Sequence, residues 1–335
     1  MSHMPQKDNL TYRSDYAYGI AGLLLGLWLF FNSSAVFEPY FLSSYQGAAY
    51  WYRIFSESIF KPQNIYLAES ILMPLLAKTV GADQTIAKFQ ILTIFFQLSL
   101  MPVICVVFNR TIRSTVGVWL AIGLVAGSFS YLTRFELGFP DPLTMLLLIC
   151  ALASKERALT AFIFLAGLSH FSTAALSALC FLTIRVAYKW QKQELNWRQE
   201  AYILYGLIGS KIFLLLWNFI FKYRLNSRIE FVFEKGIEYF WDRYSLNPSA
   251  FWLTPDAPFL WVNGFFLTYL IIKKWYWLMA AQALTLAIAY TSLFITVDGL
   301  RVFAVVIACP FIYLISIVAD SFTQKLSAQN TTRDG

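Results

Sequence analysis

Charged residues are scarce in this chain of 335 residues, in which they make up only 13% of the sequence. A soluble domain carries about twice that share. Apolar residues account for 58%, and apolar runs of the about 20 residues that a helix needs to cross a bilayer recur along the chain. The composition therefore argues against a soluble protein and predicts an all-α, polytopic membrane helix bundle.

Cysteine and histidine are also scarce. The four cysteines all lie inside apolar runs, without paired or metal-like spacing, and are expected to be small core residues. Apart from the histidine in the opening "MSHM", which looks like a cloning scar, His170 is the only histidine. No nucleophile motif lies beside it, and no HExxH, CxxC, Walker or GxGxxG motif occurs. These absences disfavour serine or cysteine hydrolase chemistry.

The net charge of +7 has a distribution that argues against nucleic acid as a partner. The lysines and arginines punctuate the ends of apolar runs instead of clustering on a soluble face. Membrane topology and anionic lipid headgroups therefore explain the positive charge better, and membrane lipids are the expected partners.

About ten spans are predicted, with the basic loops between them on the cytoplasmic side. The spans are 16–36, 89–108, 115–133, 141–154, 157–169, 171–187, 201–221, 257–272, 277–297 and 300–319. Three of these, between 141 and 187, are short or paired helices that break near Gly167-Leu168-Ser169-His170. The resulting single transmembrane domain, 16–319, lies between cytoplasmic tails 1–15 and 320–335.

Two long outer loops follow from this topology, at 37–88 and 222–256. Basic loops on the same side of the membrane must be separated by an even number of crossings. The apolar stretch 65–81 is therefore expected to lie as a helix at the outer surface, because a crossing there would place every later basic loop outside. The second loop holds acidic residues four apart beside aromatic ones, which predicts an interfacial amphipathic helix with a solvated acidic stripe.

The predicted topology brings unusual polar residues to the outer side of the membrane. Charge within an apolar bundle is costly enough to mark a functional site, and a mixture of carboxylates with Arg, Lys and His suits phosphate binding and proton transfer. The candidates are Glu38 and Asp141 as catalytic carboxylates, Arg134, His170, Lys211 and Arg301 as phosphate ligands, and Glu136, Asp298, Arg53 and Glu69 as supporting residues.

Each candidate also has a plainer explanation. Asp141 precedes Pro142 and could simply cap a helix, and Asp298 could form a local ion pair with Arg301. His170 could be a core or capping residue, and Lys211 could pair with an inward carboxylate or reach the interface. The acidic residues of the first outer loop could face solvent.

The chain resembles the membrane-embedded GT-C glycosyltransferases. The resemblance covers roughly the first 190 residues, in Glu38 after the first helix, "YLAESILMPLLAKTVG", and "GFPDPLTMLLLICALASKERALTAFIFLAGLSHFSTAALSALCFL". Where that superfamily often has an Asp in the first loop, this chain has Glu38, and no large C-terminal soluble domain follows. A small member, or a related bacterial polysaccharide polymerase or ligase, fits this shortness.

The resemblance implies a fold and a reaction. Glu38 or Asp141 would take a proton from an acceptor hydroxyl on a glycan, lipid or protein, and the sugar would come from a polyprenyl phosphate or diphosphate. Basic residues would stabilise the departing phosphate. The active site would lie on the outer side of a bacterial inner membrane. No cofactor is certain, and a divalent metal ion is left open.

Two further classes of function are compatible with the sequence. Broken helices and charges within spans also suit a transporter or a flippase for lipid-linked substrates. Against transport, the chain shows no internal repeat, and most of its unusual charges gather at one face of the membrane instead of at the midplane. A non-catalytic membrane subunit of a larger assembly is the third alternative.

Overall fold

The computed structural model describes residues 8–31, 48–61, 66–128, 139–223, 257–294 and 299–331, and every regular element in these ranges is helical. We number the α-helices in chain order. They are α1 Asp8–Phe31, α2 Ala48–Glu57, α3 Leu72–Thr79, α4 Ile86–Thr111, α5 Thr115–Ser128, α6 Asp141–Leu152, α7 Glu156–Ser169, α8 Phe171–Gln191, α9 Trp197–Ile220, α10 Ala257–Ile272, α11 Tyr276–Phe294 and α12 Gly299–Thr331.

Five of these helices are long and apolar enough to cross a membrane, which confirms the predicted membrane character. They contain Ser14–Phe31, Ile86–Thr111, Phe171–Gln191, Trp197–Ile220 and Val302–Thr323. Their positions in the bundle differ: 94% of the apolar window in α12 is buried, but only 22% of that in α1. Helix α12 is therefore the central helix, and α1 lies at the periphery, where Leu24 and Trp28 are exposed.

The helix boundaries agree best with the sequence prediction between residues 141 and 191. There α6, α7 and α8 follow the predicted 141–154, 157–169 and 171–187 closely, and the break falls on His170. Helix α1 begins at Asp8, before the predicted span 16–36, whose residues 32–36 lie outside the described part, and α12 continues to Thr331, beyond the predicted 300–319. Polar residues extend helices beyond the apolar core without changing the hydropathy signal.

The stretch 65–81 is not one surface helix. It forms a 3₁₀ turn, Tyr66–Glu69, and the eight-residue α3, separated by Ser70 and Ile71. Eight residues span about 12 Å, so α3 is too short to cross a bilayer. The amphipathic helix predicted within 222–256 lies outside the described residues.

Glycine sets the close contact between α1 and α4. A Cβ atom on Gly22 would lie 2.7 Å from Cα of Pro102 and 2.8 Å from the carbonyl oxygen of Met101. One turn later, a Cβ on Gly26 would lie 3.3 Å from Cβ of Met101. This Gly-xxx-Gly spacing lets the two backbones approach, as small residues commonly do between membrane helices.

One end of the bundle, which we call the basic end, is defined by polar contacts between helix termini. Arg110, near the end of α4, binds Asp15 near the start of α1 through two hydrogen bonds of 2.9 and 3.0 Å. The backbone N–H of Arg113 donates to Asp320 of α12 at 3.0 Å. Glu200, at the start of α9, joins the end of α8. These contacts bring the basic inter-helix loops together.

The opposite end, which we call the site end, is covered by the segment 48–84, whose helices we call the loop helices. Their apolar side chains pack on the bundle in two places. Ala49, Tyr52 and Met73 cluster with Phe89 of α4 and Leu143 of α6. Another part of the same segment reaches α7 and α9. The loop helices therefore lie over the ends of four helices of the bundle.

We predict opposite effects for alanine at two helical glycines. Gly22→Ala should destabilise the protein by about 1–3 kcal/mol, because its methyl group would overlap the backbone of α4. Gly123→Ala should be neutral or stabilising, because a Cβ there meets nothing within 4 Å and alanine favours helix by about 1 kcal/mol. Thermal unfolding of both purified variants in one detergent measures the difference. Equal midpoints would contradict the α1–α4 contact.

Candidate functional site

Asp141 is the best-defined predicted catalytic residue in the described part. It is the first residue of α6, with Pro140 in the N-cap position, and its exposed fraction is 0%. The predicted cap is therefore displaced by one residue, and the carboxylate lies in the first helical turn. There the partial positive charge of the helix N-terminus favours an anion. At other buried positions of an apolar bundle, a carboxylate without such compensation is costly.

A hydrogen bond between hydroxyl groups joins the start of α6 to the end of α7. Thr144 lies one turn after Asp141 and donates from Oγ1 to Oγ of Ser169 at 2.9 Å. The Ser169 hydroxyl in turn donates to the Pro140 carbonyl oxygen at 3.3 Å. All these groups are buried. The N-terminus of α6 is thereby held against the residue that precedes His170.

His170 lies at the junction of α7 and α8 and is 2% exposed. It is the only residue between the two helices, and its extended backbone (φ −159°, ψ 93°) interrupts them. Its N–H donates to Ala166 O and its carbonyl accepts from Ala174 N, each at 3.0 Å. Its Nδ1 lies 3.5 Å from Ser172 Oγ. The His170 backbone thus forms hydrogen bonds with both α7 and α8, and its imidazole lies at the site end.

Lys211 pairs with a carboxylate from the loop helices, which was one of the two alternatives for this residue. Its ammonium donates to Oε1 of Glu69 at 2.9 Å. The same Nζ lies 4.5 Å from the ring centroid of Phe171, directly after His170. The side chains of Lys211 and Glu69 are 39% and 24% exposed, so the pair is accessible from outside the protein.

The chain of contacts connects four predicted site residues. Asp141 and His170 lie on the segments joined by the Thr144–Ser169 hydrogen bond, and Lys211 contacts Phe171 and Glu69. The structure therefore brings one catalytic candidate, two phosphate-binding candidates and one supporting candidate to the same end of the bundle.

The loop helices pack against this region through apolar contacts and through one hydrogen bond from a tyrosine hydroxyl. Phe55 and Ile59 cluster with Leu168 of α7 and Leu214 of α9. Tyr223, just beyond α9, donates its hydroxyl to the Ile59 carbonyl oxygen. Burial raises the pKa of the Tyr223 phenol above its ordinary value, so the hydroxyl remains a donor at neutral pH.

Arg53 lies in another part of the loop helices. Its guanidinium pairs with Glu57 at 2.5 Å, four residues along α2, and also donates to the Asp83 carbonyl oxygen at 3.5 Å. Neighbouring Trp51 is 55% exposed and stacks edge-on with Tyr50. These contacts attach Arg53 to its own helix and to the turn before α4.

Five predicted site residues have no described side chain. Arg301 lies in the first turn of α12, but its side chain is outside the described part. The others lie outside the described residues altogether: Glu38, Arg134, Glu136 and Asp298. Their roles stay predictions.

Thr144 and Ser169 are the residues that the sequence analysis did not assign to the site. Their hydroxyls join the start of α6, where Asp141 lies, to the end of α7. Thr144 follows Asp141 by three residues, so it shares a helix face with it; that spacing was the available signal. In the segments with described side chains, no group of three or more His, Cys, Asp or Glu could hold a metal ion.

The comparisons with known proteins leave the family open. No protein-family model, curated protein or solved structure matches this chain.

We predict measurable coupling between Lys211 and Glu69. Removing either charge leaves the other unpaired at an apolar helix surface, so the double variant Lys211→Met, Glu69→Gln should be destabilised by less than the sum of the effects of the two single variants. A double-mutant cycle by thermal unfolding should give a coupling of about 1 kcal/mol. The Arg53–Glu57 pair, four apart on one helix, is the matched control and should give about 0.3–0.5 kcal/mol. Strictly additive effects at Lys211 and Glu69 would contradict the pairing.

Proposed function

We propose that this chain is an integral membrane glycosyltransferase with a GT-C-like architecture of ten spans. It would move a sugar from a polyprenyl phosphate or diphosphate donor to an acceptor at the outer face of the membrane. The observation that carries the proposal is the fully buried Asp141 at the end where His170 and Lys211 also lie. A carboxylate at the same end of the bundle as a histidine and a lysine matches the needs of base catalysis and phosphate binding.

The bond changes assign a separate role to each group. Asp141, or Glu38, accepts the proton of the acceptor hydroxyl as its oxygen bonds to the anomeric carbon of the sugar. The bond from that carbon to the phosphate oxygen breaks, and its electron pair leaves with the lipid phosphate. His170 and Lys211 neutralise this charge, together with Arg134 and Arg301.

The pairing of Lys211 suggests how the donor enters. Its ammonium is held by Glu69, so a donor phosphate would compete with the Glu69 carboxylate for it. Because Glu69 belongs to a 3₁₀ turn of the loop helices, this exchange would also loosen their attachment to α9. Glu69 would thus keep the lysine oriented until the lipid phosphate arrives.

The proposed topology places both termini in the cytoplasm and the site end outside, in a bacterial inner membrane. Two features support it. Helices occupy parts of all ten segments that hydropathy selects, and the basic loops meet at the end remote from Asp141. Positive residues in short loops favour the cytoplasmic side.

A transporter or flippase is the second candidate, and a buried polar pair favours it. Gln282 of α11 donates from Nε2 to Oδ1 of Asn263 in α10 at 2.7 Å. Both residues are almost fully buried within apolar helices. Amides inside a membrane bundle are expensive and also occur along solute pathways.

We predict that Asp141→Asn lowers sugar transfer from a polyprenyl-linked donor by about 10²–10⁴-fold, as expected for loss of a general base. Purified protein in detergent with a set of radiolabelled donors provides the measurement. Glu57→Gln is the matched control, because Glu57 is an exposed acid paired within α2, and it should retain activity. Unfolding midpoints would distinguish inactivation from misfolding.

A further variant separates the alternatives. Glu69→Gln should lower the KM for the lipid donor, because the phosphate no longer competes with a carboxylate for Lys211. Transport would instead be supported if reconstituted protein takes up solute or scrambles lipid, and if Asp141→Asn leaves that activity unchanged while Asn263→Ala alters it.

A further inference from the structure

Three lysines at the basic end differ from their paired neighbours. Lys192 follows α8, and Lys273 and Lys274 form the turn between α10 and α11. Nearby Lys189 binds the buried Glu200 at 2.6 Å. Among the side chains that the structure describes, none of the three forms such an ion pair with a carboxylate. Their charges therefore remain available to an external anion.

Backbone hydrogen bonds hold the turn that carries two of these lysines. The N–H of Lys274 donates to Ile271 O at 2.9 Å, and the N–H of Trp275 donates to Leu270 O at 2.8 Å. Lys274 adopts a left-handed conformation, φ 58°, which glycine usually supplies at a helix C-terminus. The two lysines are consequently presented from a fixed backbone.

Aromatic rings position the ammonium groups. Nζ of Lys192 lies 5.3 Å from the ring centroid of Trp275, and Nζ of Lys273 lies 5.6 Å from that of Tyr269. The Trp275 ring also contacts Tyr188 of α8 at 6.0 Å. Cation–π contacts of this kind orient a lysine without neutralising it. They join the end of α8 to the α10–α11 turn.

The surroundings match the headgroup level of a bilayer. Trp190 and Trp277 are 57% and 64% exposed, and such rings favour the membrane–water interface. Among the described side chains, the carboxylates that act electrostatically on nearby Tyr188 are Glu194, in the α8–α9 loop, and Asp320, which already accepts the Arg113 N–H. Positive charge thus exceeds negative charge beside exposed aromatic rings.

We propose that Lys192, Lys273 and Lys274 bind the phosphodiester headgroup of an acidic phospholipid. The ammonium groups contact the phosphate oxygens, and an acyl chain lies along the apolar surface near Trp277. The lipid links α8 to the α10–α11 turn at the basic end. This site is separate from the proposed sugar-transfer site and does not depend on that function.

The test measures lipid affinity of the full chain in mixed micelles, by native mass spectrometry and by the shift of the unfolding midpoint. Phosphatidylglycerol should bind and stabilise, whereas phosphatidylcholine should not. The triple variant Lys192→Gln, Lys273→Gln, Lys274→Gln should lose about 100-fold in phosphatidylglycerol affinity, at about fivefold for each lysine near an anionic surface.

A matched control removes three other positive charges in the basic loops. Lys155→Gln, Arg157→Gln and Arg198→Gln remove exposed charges without an ion pair or an aromatic contact among the described side chains, and this variant should bind phosphatidylglycerol like the unmodified chain. Equal losses in both triple variants would overturn the site in favour of general surface charge. Equal stabilisation by inorganic phosphate or glycerol phosphate would overturn the assignment to a lipid.

Replacing the three lysines by arginine guards against a folding artefact. The arginine variant keeps the charge and the cation–π partners, so it should retain phosphatidylglycerol binding even if the glutamine variant proves unstable. Loss of binding in a folded arginine variant would contradict recognition by charge.

Discussion

A charge inside an apolar helix bundle is stable only when an opposite charge or a polar group compensates for its lost hydration. This constraint organises both ends of the molecule. At the basic end, Glu200 is 2% exposed and lies between Arg185 and Lys189, each at 2.6 Å. At the site end, Lys211 pairs with Glu69. Each pair joins a helix to a different segment, so charge compensation also fixes which elements are neighbours.

The ion pairs at the two ends differ in accessibility, and this difference bears on function. Glu200 is enclosed, so its ion pairs hold α8 to α9 as a structural clamp. Lys211 and Glu69 are partly exposed, so an external anion can reach the lysine. The proposed donor phosphate takes advantage of this accessibility. In the proposed reaction Asp141 would supply the base; the hydrogen bond between Thr144 and Ser169 holds the start of its helix against the residue that precedes His170.

The extent of successful prediction differs between elements for a physical reason. Hydropathy located α6, α7 and α8, because Pro142 and the basic residues near 155 mark helix ends where apolar runs stop. Helices α1 and α12 extend beyond the predicted spans 16–36 and 300–319, to Asp8 and to Thr331, because polar residues can continue a helix in water. Within the site, parity predicted that Asp141 and His170 share one side. The Thr144–Ser169 hydrogen bond required knowledge of how α6 and α7 rotate against each other.

The sequence by itself determined that the chain is helical and suited to a membrane, because apolar length and the position of basic residues act locally along the chain. Only the tertiary structure decided the partners of the charges. Glu69 and Lys211 lie 142 residues apart, and no periodicity relates them. The plainer explanations for Lys211 were pairing with an inward carboxylate or reaching the interface, and the packing of the loop helices over α7 and α9 brings Glu69 within hydrogen-bond distance of it.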